Sequence, residues 1–130
     1  MQRVLQSMQR VLQILSALTG VFLAVSAFDW MFDPQAAAAG LGMDLLTGMG
    51  RNTQIGDMTA FFATSSLFIL LGVWQKRPDF LLVPAFLLLS AALFRLTSAQ
   101  FYDAALIVPA VVFEVVTGII LLAYRREISQ

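Results

Sequence analysis

The 130-residue sequence contains no cysteine and no histidine. Without cysteine the chain forms no disulfide and has no thiol for redox chemistry. The absence of both residues also excludes zinc sites of the usual kinds, imidazole ligation of haem and histidine general bases. Proton chemistry would therefore depend on carboxylates. The sequence indicates no metal site, and it leaves any cofactor unidentified.

Charge is also scarce in this chain. Charged residues make up 12% of the sequence and the formal net charge is zero, whereas ordinary soluble domains are about a quarter charged. No basic run is present to follow a phosphate backbone, so nucleic acid is not an expected partner. Hydrophobic residues make up 59%, more than a small soluble fold can bury. The composition predicts an integral membrane protein whose outer face contacts the lipid bilayer.

Four apolar stretches are long enough to cross a bilayer as helices, which takes about 20 residues each. They cover approximately residues 11–32, 53–74, 80–99 and 104–124. We therefore predict an all-α fold, an integral membrane four-helix bundle that forms a single transmembrane domain over residues 1–130.

Residues 34–46, between the first two spans, are too short to cross the membrane. Asp33 is a plausible N-cap, and Pro34 suits the first helical position. Gly40 and Gly42 are expected to end the helix. We predict a short interfacial helix that covers the outer end of the bundle as a structural cap, with a gate as the alternative.

Basic residues are distributed unequally between the two sides of these spans. Lysine and arginine in short loops mark the cytoplasmic side of a membrane. Six of the eight basic residues fall on one side, namely Arg3, Arg10, Lys76, Arg77, Arg125 and Arg126. This distribution predicts that both termini are cytoplasmic.

The N-terminal segment has two interpretations. Residues 10–27 resemble a signal peptide, with Val25-Ser26-Ala27 as a possible cleavage site. We favour a signal anchor that stays in the protein as the first span. The hexapeptide Met1–Gln6 recurs at Met8–Gln13, which predicts an amphipathic extension running into that span and leaves Met8 open as a second start site.

Several polar residues lie inside or at the outer edge of the predicted spans, where ionisable groups cost several kcal/mol unless they face the bundle interior and find partners. The candidate site consists of Arg51, Gln54, Asp57, Arg95, Asp103 and Glu114. Asp57 and Arg95 are each placed about one turn below the outer end of their spans, so the depths predict that they can pair. A buried network that only fixes helix register is the structural alternative.

Glu114 is placed about three turns below the outer end of the fourth span, near the middle of the bilayer. At that depth it is expected to be neutral, unless Arg95 reaches it and keeps it ionised. Pro109, one turn outward, is expected to kink this span, and Pro84 is expected to act similarly in the third. Such breaks occur in transporters, but also in inert bundles.

Four short motifs resemble a group of uncharacterised bacterial four-helix membrane proteins, a family of unknown function that is loosely similar to DoxX-like proteins. They are Arg51-Asn52-Thr53-Gln54-Ile55-Gly56-Asp57, Phe61-Phe62, Leu93-Phe94-Arg95 and Phe113-Glu114-Val115-Val116. The resemblance implies a multi-pass protein of the bacterial inner (cytoplasmic) membrane. It also implies that Arg51, Gln54, Asp57, Arg95 and Glu114 belong to one shared site. Some DoxX-like proteins are associated with quinone-linked oxidoreductases, although a shared fold does not fix function.

Three functions follow as hypotheses. The first and favoured one is a non-enzymatic accessory or small-ligand-binding membrane subunit with a polar pocket in the outer half of the bundle. The second is a proton-coupled transporter or channel that uses Glu114 and Asp57 and acts as an oligomer. The third is a quinone-linked membrane oxidoreductase subunit, which would need an external cofactor. Other membrane subunits or further copies of this chain are the expected protein partners.

Overall fold

The computed structural model describes all 130 residues and contains helices but no strands. The five helices are α1 (Gln2–Phe32), α2 (Pro34–Gly40), α3 (Gly48–Trp74), α4 (Pro78–Phe101) and α5 (Val108–Ile128). All except α2 are long and apolar enough to cross a membrane. The predicted all-α bundle with four spans and a short helix after the first is confirmed, and the chain is a multi-pass membrane protein.

The four long helices form a ring in which α1 packs against α3, α3 against α4, α4 against α5, and α5 against α1. The α1–α3 and α4–α5 interfaces are the most extensive, and the α1–α5 interface is the least. The hydrophobic core cluster consists of Leu23, Ile69, Leu81, Ala85, Leu88, Leu121 and Tyr124. Phe28, Phe86 and Phe94 point outward and are more than half exposed, which suits a surface in contact with lipid rather than water.

Glycines let the helices of both tight pairs approach closely. A Cβ atom added to Gly20 of α1 would lie 2.8 Å from the side chain of Leu70 on α3, and one added to Gly118 of α5 would lie 2.7 Å from Leu89 on α4. The buried hydroxyl of Ser66 donates a 2.7 Å hydrogen bond to the Gly20 carbonyl. Close packing and interhelical hydrogen bonds are what hold helices together in lipid.

The two ends of the bundle differ in charge. Because neighbouring helices run antiparallel, the start of α1, the α3–α4 turn and the end of α5 meet at one end, the basic end, which contains the six basic residues named above. The opposite end, the acidic end, contains Asp29, Asp33, Asp44, Asp57 and Asp103. Which end is cytoplasmic stays a prediction. The N-terminal extension forms the first turns of α1, which is continuous from Gln2 to Phe32.

The connection from α1 to α3 begins as the sequence predicts. The Asp33 carboxylate accepts a 3.3 Å hydrogen bond from the backbone N–H of Ala36, and Pro34 occupies the first turn of α2. The helix ends at Gly40, and Gly42 has a φ of +70°, so the rest of the predicted 34–46 segment is loop. Ala38 is fully buried, which fixes α2 against the acidic end of the bundle.

The predicted kink at Pro109 is wrong. Helix α5 begins at Val108, so Pro109 lies in its first turn, where the missing N–H is not needed. The preceding residues 102–107 are not helical, and Asp103 has a φ of +53°. Glu114 is consequently about 9 Å from the start of its helix, less than two turns deep. Pro84 does lie inside α4.

Candidate functional site

Arg95 of α4 and Glu114 of α5 form the only salt bridge within the chain. The Nε atom of Arg95 donates to both carboxylate oxygens of Glu114, at 3.0 and 3.1 Å. The Glu114 side chain is 7% exposed and that of Arg95 is 31% exposed. Of the two states considered for Glu114, the structure shows the one in which Arg95 reaches the carboxyl. The predicted pairing of Arg95 with Asp57 does not occur.

Local packing explains why these two side chains meet. Arg95 lies one turn after Ala91 on α4, and Glu114 lies one turn before Gly118 on α5. The small residues allow α4 and α5 to run close together, with Gly118 against Leu89. A carboxylate buried in this apolar interface would be costly without a cation. The guanidinium supplies that cation from the adjacent helix.

The ion pair lies in the wall of a cavity of about 640 Å³ toward the acidic end. All five helices contribute to its lining. The aromatic members of the lining are Phe22, Trp30, Phe61, Phe62 and Phe113, and the polar ones are Ser26, Asp29, Arg95 and Glu114. A volume of this size, an apolar lining and a few polar groups are typical of small-molecule sites.

The cavity reaches the surface. The exposed residues of its lining are Phe22 and Asp29 of α1, Ala36 and Gly40 of α2, and Pro109 of α5. Helices α1 and α5 have the least extensive interface among the neighbouring long helices. The rings of Phe22 and Phe113 lie there with centroids 5.0 Å apart. The cavity therefore reaches the surface at two places, through a lateral mouth between α1 and α5 and beside α2 at the acidic end.

Helix α2 lines another part of the cavity. Ala36, Ala37 and Gly40, together with Leu41 just after the helix, belong to its lining. The alanines and the glycine have small side chains, which bring the α2 backbone near the cavity without filling it. The short helix therefore both caps the acidic end of the bundle and contributes to the wall of the cavity.

Arg51 and Gln54 form hydrogen bonds with the loop before α3 and do not line the cavity. Arg51 Nε donates a 2.8 Å hydrogen bond to the Leu46 carbonyl. The Leu46 N–H donates to Gln54 Oε1 at 2.9 Å, and Gln54 Nε2 donates to the Asp44 carbonyl at 3.2 Å. The two side chains therefore hold the loop onto the first turns of α3.

Asp57 and Asp103 are exposed and form no salt bridge. Of the six candidate residues, the structure thus brings only Arg95 and Glu114 together at the cavity. Sequence reasoning missed Asp29 and the set of aromatic rings. A signal for α1 was present, since Phe22, Ser26 and Asp29 follow one another at helical spacing on one face. No comparable signal marks how the rings of different helices converge.

Comparison of the chain with protein-family models, with curated proteins and with solved structures finds no match. The resemblance to DoxX-like proteins therefore stays a prediction. What the site can do follows from its geometry, which combines hydrogen-bond donors on Arg95, a paired carboxylate on Glu114 and an aromatic lining open to the surface.

Proposed function

We propose that this chain is a small-ligand-binding subunit of the bacterial inner membrane, and that its cavity takes up an amphiphilic molecule from the outer half of the bilayer. One observation supports this above all. A cavity of about 640 Å³ contains the chain's only ion pair among five aromatic rings. An apolar lining supplies affinity and a few fixed polar groups supply orientation in such sites.

The position of the mouth supports the bilayer as the source of the ligand. The mouth lies between α1 and α5, beside Phe22. This side chain is 55% exposed on the surface of a candidate span that would face lipid. A molecule dissolved among the lipid chains reaches this opening by moving sideways. Its apolar body then exchanges lipid contacts for contacts with aromatic rings, which favour flat or chain-like groups.

The exposure of the ion pair argues for more than a register device. A pair that only fixes helix register is expected to be enclosed on all sides, and buried pairs are often replaceable by apolar residues without loss of stability. Here Glu114 is enclosed, but the side chain of Arg95 is 31% exposed and belongs to the cavity lining. The guanidinium is thus accessible to a ligand.

Transport and redox roles have less support. Both oxygens of Glu114 accept hydrogen bonds from Arg95, so this carboxylate would have to leave the pair before it carried a proton. Asp57, the other residue of the transport hypothesis, is exposed on α3 and lies outside the cavity. A quinone-linked oxidoreductase subunit rests on the resemblance to DoxX-like proteins alone.

Filling the cavity tests the ligand-binding function. Ala110 lines the cavity, and Ala110→Trp would place an indole ring in it. Native mass spectrometry of the protein released from its own membranes measures any retained small molecule. We expect the wild type to carry such a molecule and Ala110→Trp to lose it.

The matched control for this experiment is Ala63→Trp, which adds the same ring at an exposed position of α3 outside the cavity. This variant is expected to keep the bound molecule. Equal occupancy in the two tryptophan variants, or a wild type that carries nothing, would contradict binding in the cavity.

The role as an accessory subunit is tested separately. The chain is extracted from its native membrane in a mild detergent, and the mass of the particle is measured by light scattering. A stoichiometric complex with other membrane subunits is expected. A stable, isolated monomer would exclude the accessory role while leaving ligand binding intact.

A further inference from the structure

The guanidinium of Arg95 presents unused hydrogen-bond donors to the cavity. An arginine side chain has five N–H donors and no acceptor. Only its Nε donates within the protein, to Glu114, and the Nη1 and Nη2 atoms donate no hydrogen bond. The carboxylate is nearly enclosed, at 7% exposure, and both its oxygens already accept. At the ion pair, a ligand that enters the cavity therefore meets donors rather than acceptors.

The charges around the cavity restrict the ligand further. Its lining contains one cation, Arg95, and two carboxylates, Glu114 and Asp29. An anionic ligand at Arg95 would lie beside the Glu114 carboxylate, and repulsion is strong where the surroundings are apolar. A cationic ligand would meet the guanidinium, the most accessible charge within the apolar wall. Asp29 is exposed at the mouth, where solvent and lipid head groups screen it.

We propose that the cavity selects uncharged amphiphiles whose polar end carries a hydrogen-bond acceptor, such as an ester or ketone oxygen. The acceptor binds the Nη groups of Arg95, and the apolar body lies among the aromatic rings. This inference rests on the proposed ligand-binding function and adds the chemical class of the ligand. The ion pair thus acts as a neutral unit that offers donors without the charge preference of a free arginine.

The two tryptophans of the chain provide the measurement. Trp30 is 1% exposed and lines the cavity, whereas Trp74 is 79% exposed at the basic end. In a Trp74→Phe variant, fluorescence reports on the cavity alone. The protein is placed in nanodiscs of ether-linked phospholipid, which carry no ester carbonyl. Brominated probes, which quench tryptophan on contact, are then added and their partition into empty nanodiscs is measured.

Three probes share one brominated twelve-carbon chain and differ in the polar end: a methyl ester, a carboxylate and a trimethylammonium. We expect the ester to half-quench Trp30 at a bilayer mole fraction about tenfold lower than either charged probe, the effect of roughly one hydrogen bond. A carboxylate or ammonium that quenches as well as the ester would overturn the inference while leaving ligand binding intact.

A Trp30→Phe variant, which keeps only Trp74, measures quenching by probes dissolved in the bilayer. If all three probes quench Trp30 no better than this background, neither the inference nor the proposed binding function stands. Selective quenching of Trp30 by any one probe supports the binding function. Failure of the ligand class and failure of the site are thus distinguished.

Variants of the ion pair test the role of Arg95. Arg95→Met combined with Glu114→Leu removes both charges and all the donors together and leaves no unpaired ion in the wall. The mole fraction of the ester probe that half-quenches Trp30 is expected to rise about tenfold. Unchanged quenching by the ester in a variant with wild-type helix content would overturn the assignment. Arg95→Leu combined with Glu114→Met, which divides the apolar volume differently, serves if the first double variant does not fold, and it should weaken ester quenching as well.

An ester oxygen has two possible sources, a bilayer lipid or a free small molecule. Replacing the ether-linked phospholipid by its ester-linked equivalent distinguishes them. Weaker quenching by the ester probe in ester-linked nanodiscs identifies the lipid as a competitor and therefore as a ligand. Unchanged quenching excludes the lipid ester as the ligand and leaves a free molecule as the source, and either result is consistent with the same ligand class.

Discussion

The two halves of this bundle are packed differently, although the same four long helices form both. Toward the basic end, Gly72 of α3 lies so close to Leu81 of α4 that an added Cβ would be 2.8 Å from its side chain, and Leu121 and Tyr124 of α5 are fully enclosed. Toward the acidic end, the same four helices separate around a cavity of about 640 Å³. Small residues bring the helices together in one half, and aromatic rings with one ion pair replace that packing in the other.

The difference shows what each half depends on. Helices in lipid gain no hydrophobic free energy from meeting each other, so van der Waals packing and hydrogen bonds must supply the association. The basic half provides these contacts at its glycines and serines. The acidic half can therefore stay open without the bundle coming apart. Substitutions in the two halves are therefore expected to differ in their effect on stability.

Breaking the ion pair on one side is expected to have the largest effect. Arg95→Met leaves the Glu114 carboxylate, 7% exposed, without its cation, at a cost of about 3 kcal/mol in the free energy of unfolding. Reversible unfolding in mixed micelles of mild detergent and SDS measures this cost. Combining Arg95→Met with Glu114→Leu should recover most of it, because no buried charge remains. A double variant as unstable as the single one would contradict this account.

Tightening the packed contact between α4 and α5 comes next. Gly118→Ala introduces a Cβ that meets Leu89 at 2.7 Å, and we expect a loss of about 1–2 kcal/mol in the same unfolding assay. Gly56→Ala is the matched control, since nothing lies within 4 Å of that position. The control should be neutral or slightly stabilising, because alanine favours helix. Equal destabilisation by both changes would show that close packing is not the cause.

Removing an interhelical hydrogen bond has a smaller expected effect. Ser66→Ala deletes the bond to the Gly20 carbonyl, and such bonds in membrane proteins contribute about 0.6 kcal/mol on average. Ser26→Ala is the comparison in the other half, since that hydroxyl lines the cavity and donates only to Phe22 of its own helix. We expect no measurable change in stability for Ser26→Ala. A larger loss there than at Ser66 would reverse the contrast between the halves.

The smallest expected effect concerns the loop before α3. Gln54→Ala removes the side chain that binds both Leu46 and Asp44. We expect faster hydrogen exchange of the Leu46 amide by about tenfold, with little change in the global free energy of unfolding. Asp57→Asn, one turn further along α3, should leave that exchange rate unchanged. Unaltered protection in Gln54→Ala would show that other contacts hold the loop.

The sequence predicted the elements whose signals are local. Four apolar stretches identified the spans, and Asp33 followed by Pro34 identified the start of α2 with its side-chain cap. Hydrophobic length and capping depend on neighbouring residues alone. For this reason they could be read without knowing how the helices pack.

The misplaced start of α5 explains the wrong partner for Arg95. Residues 104–107 are apolar, which predicts helix, but they form a non-helical connection before Val108. Four residues correspond to about 6 Å of helix, so Glu114 was placed too deep. With Glu114 at that predicted depth, Asp57 is the carboxylate whose predicted depth in the membrane is closest to that of Arg95. Hydropathy alone does not separate an apolar loop from a helix.

The cavity itself was beyond prediction from the sequence. Its volume depends on how far α1 lies from α5, and its lining combines rings from α1, α3 and α5. No spacing rule within one helix encodes the distance between two others. The role of Arg51 and Gln54 in holding the loop escaped prediction for the same reason, because their partners are backbone groups of residues 44 and 46.

Because the lateral mouth lies beside Phe22 and Phe113, occupancy of the cavity should depend on the amount of lipid as well as on the amount of ligand. For a ligand that arrives through the bilayer, occupancy depends on the mole fraction of the ligand in the lipid. The concentration of the ligand in the surrounding water matters only because it sets that mole fraction by partition. Adding empty vesicles to a fixed quantity of protein and ligand would lower occupancy, although nothing in the binding site has changed. On the proposed uptake from the bilayer, growth conditions that enlarge or shrink the membrane are expected to change the occupancy of the cavity in the same way.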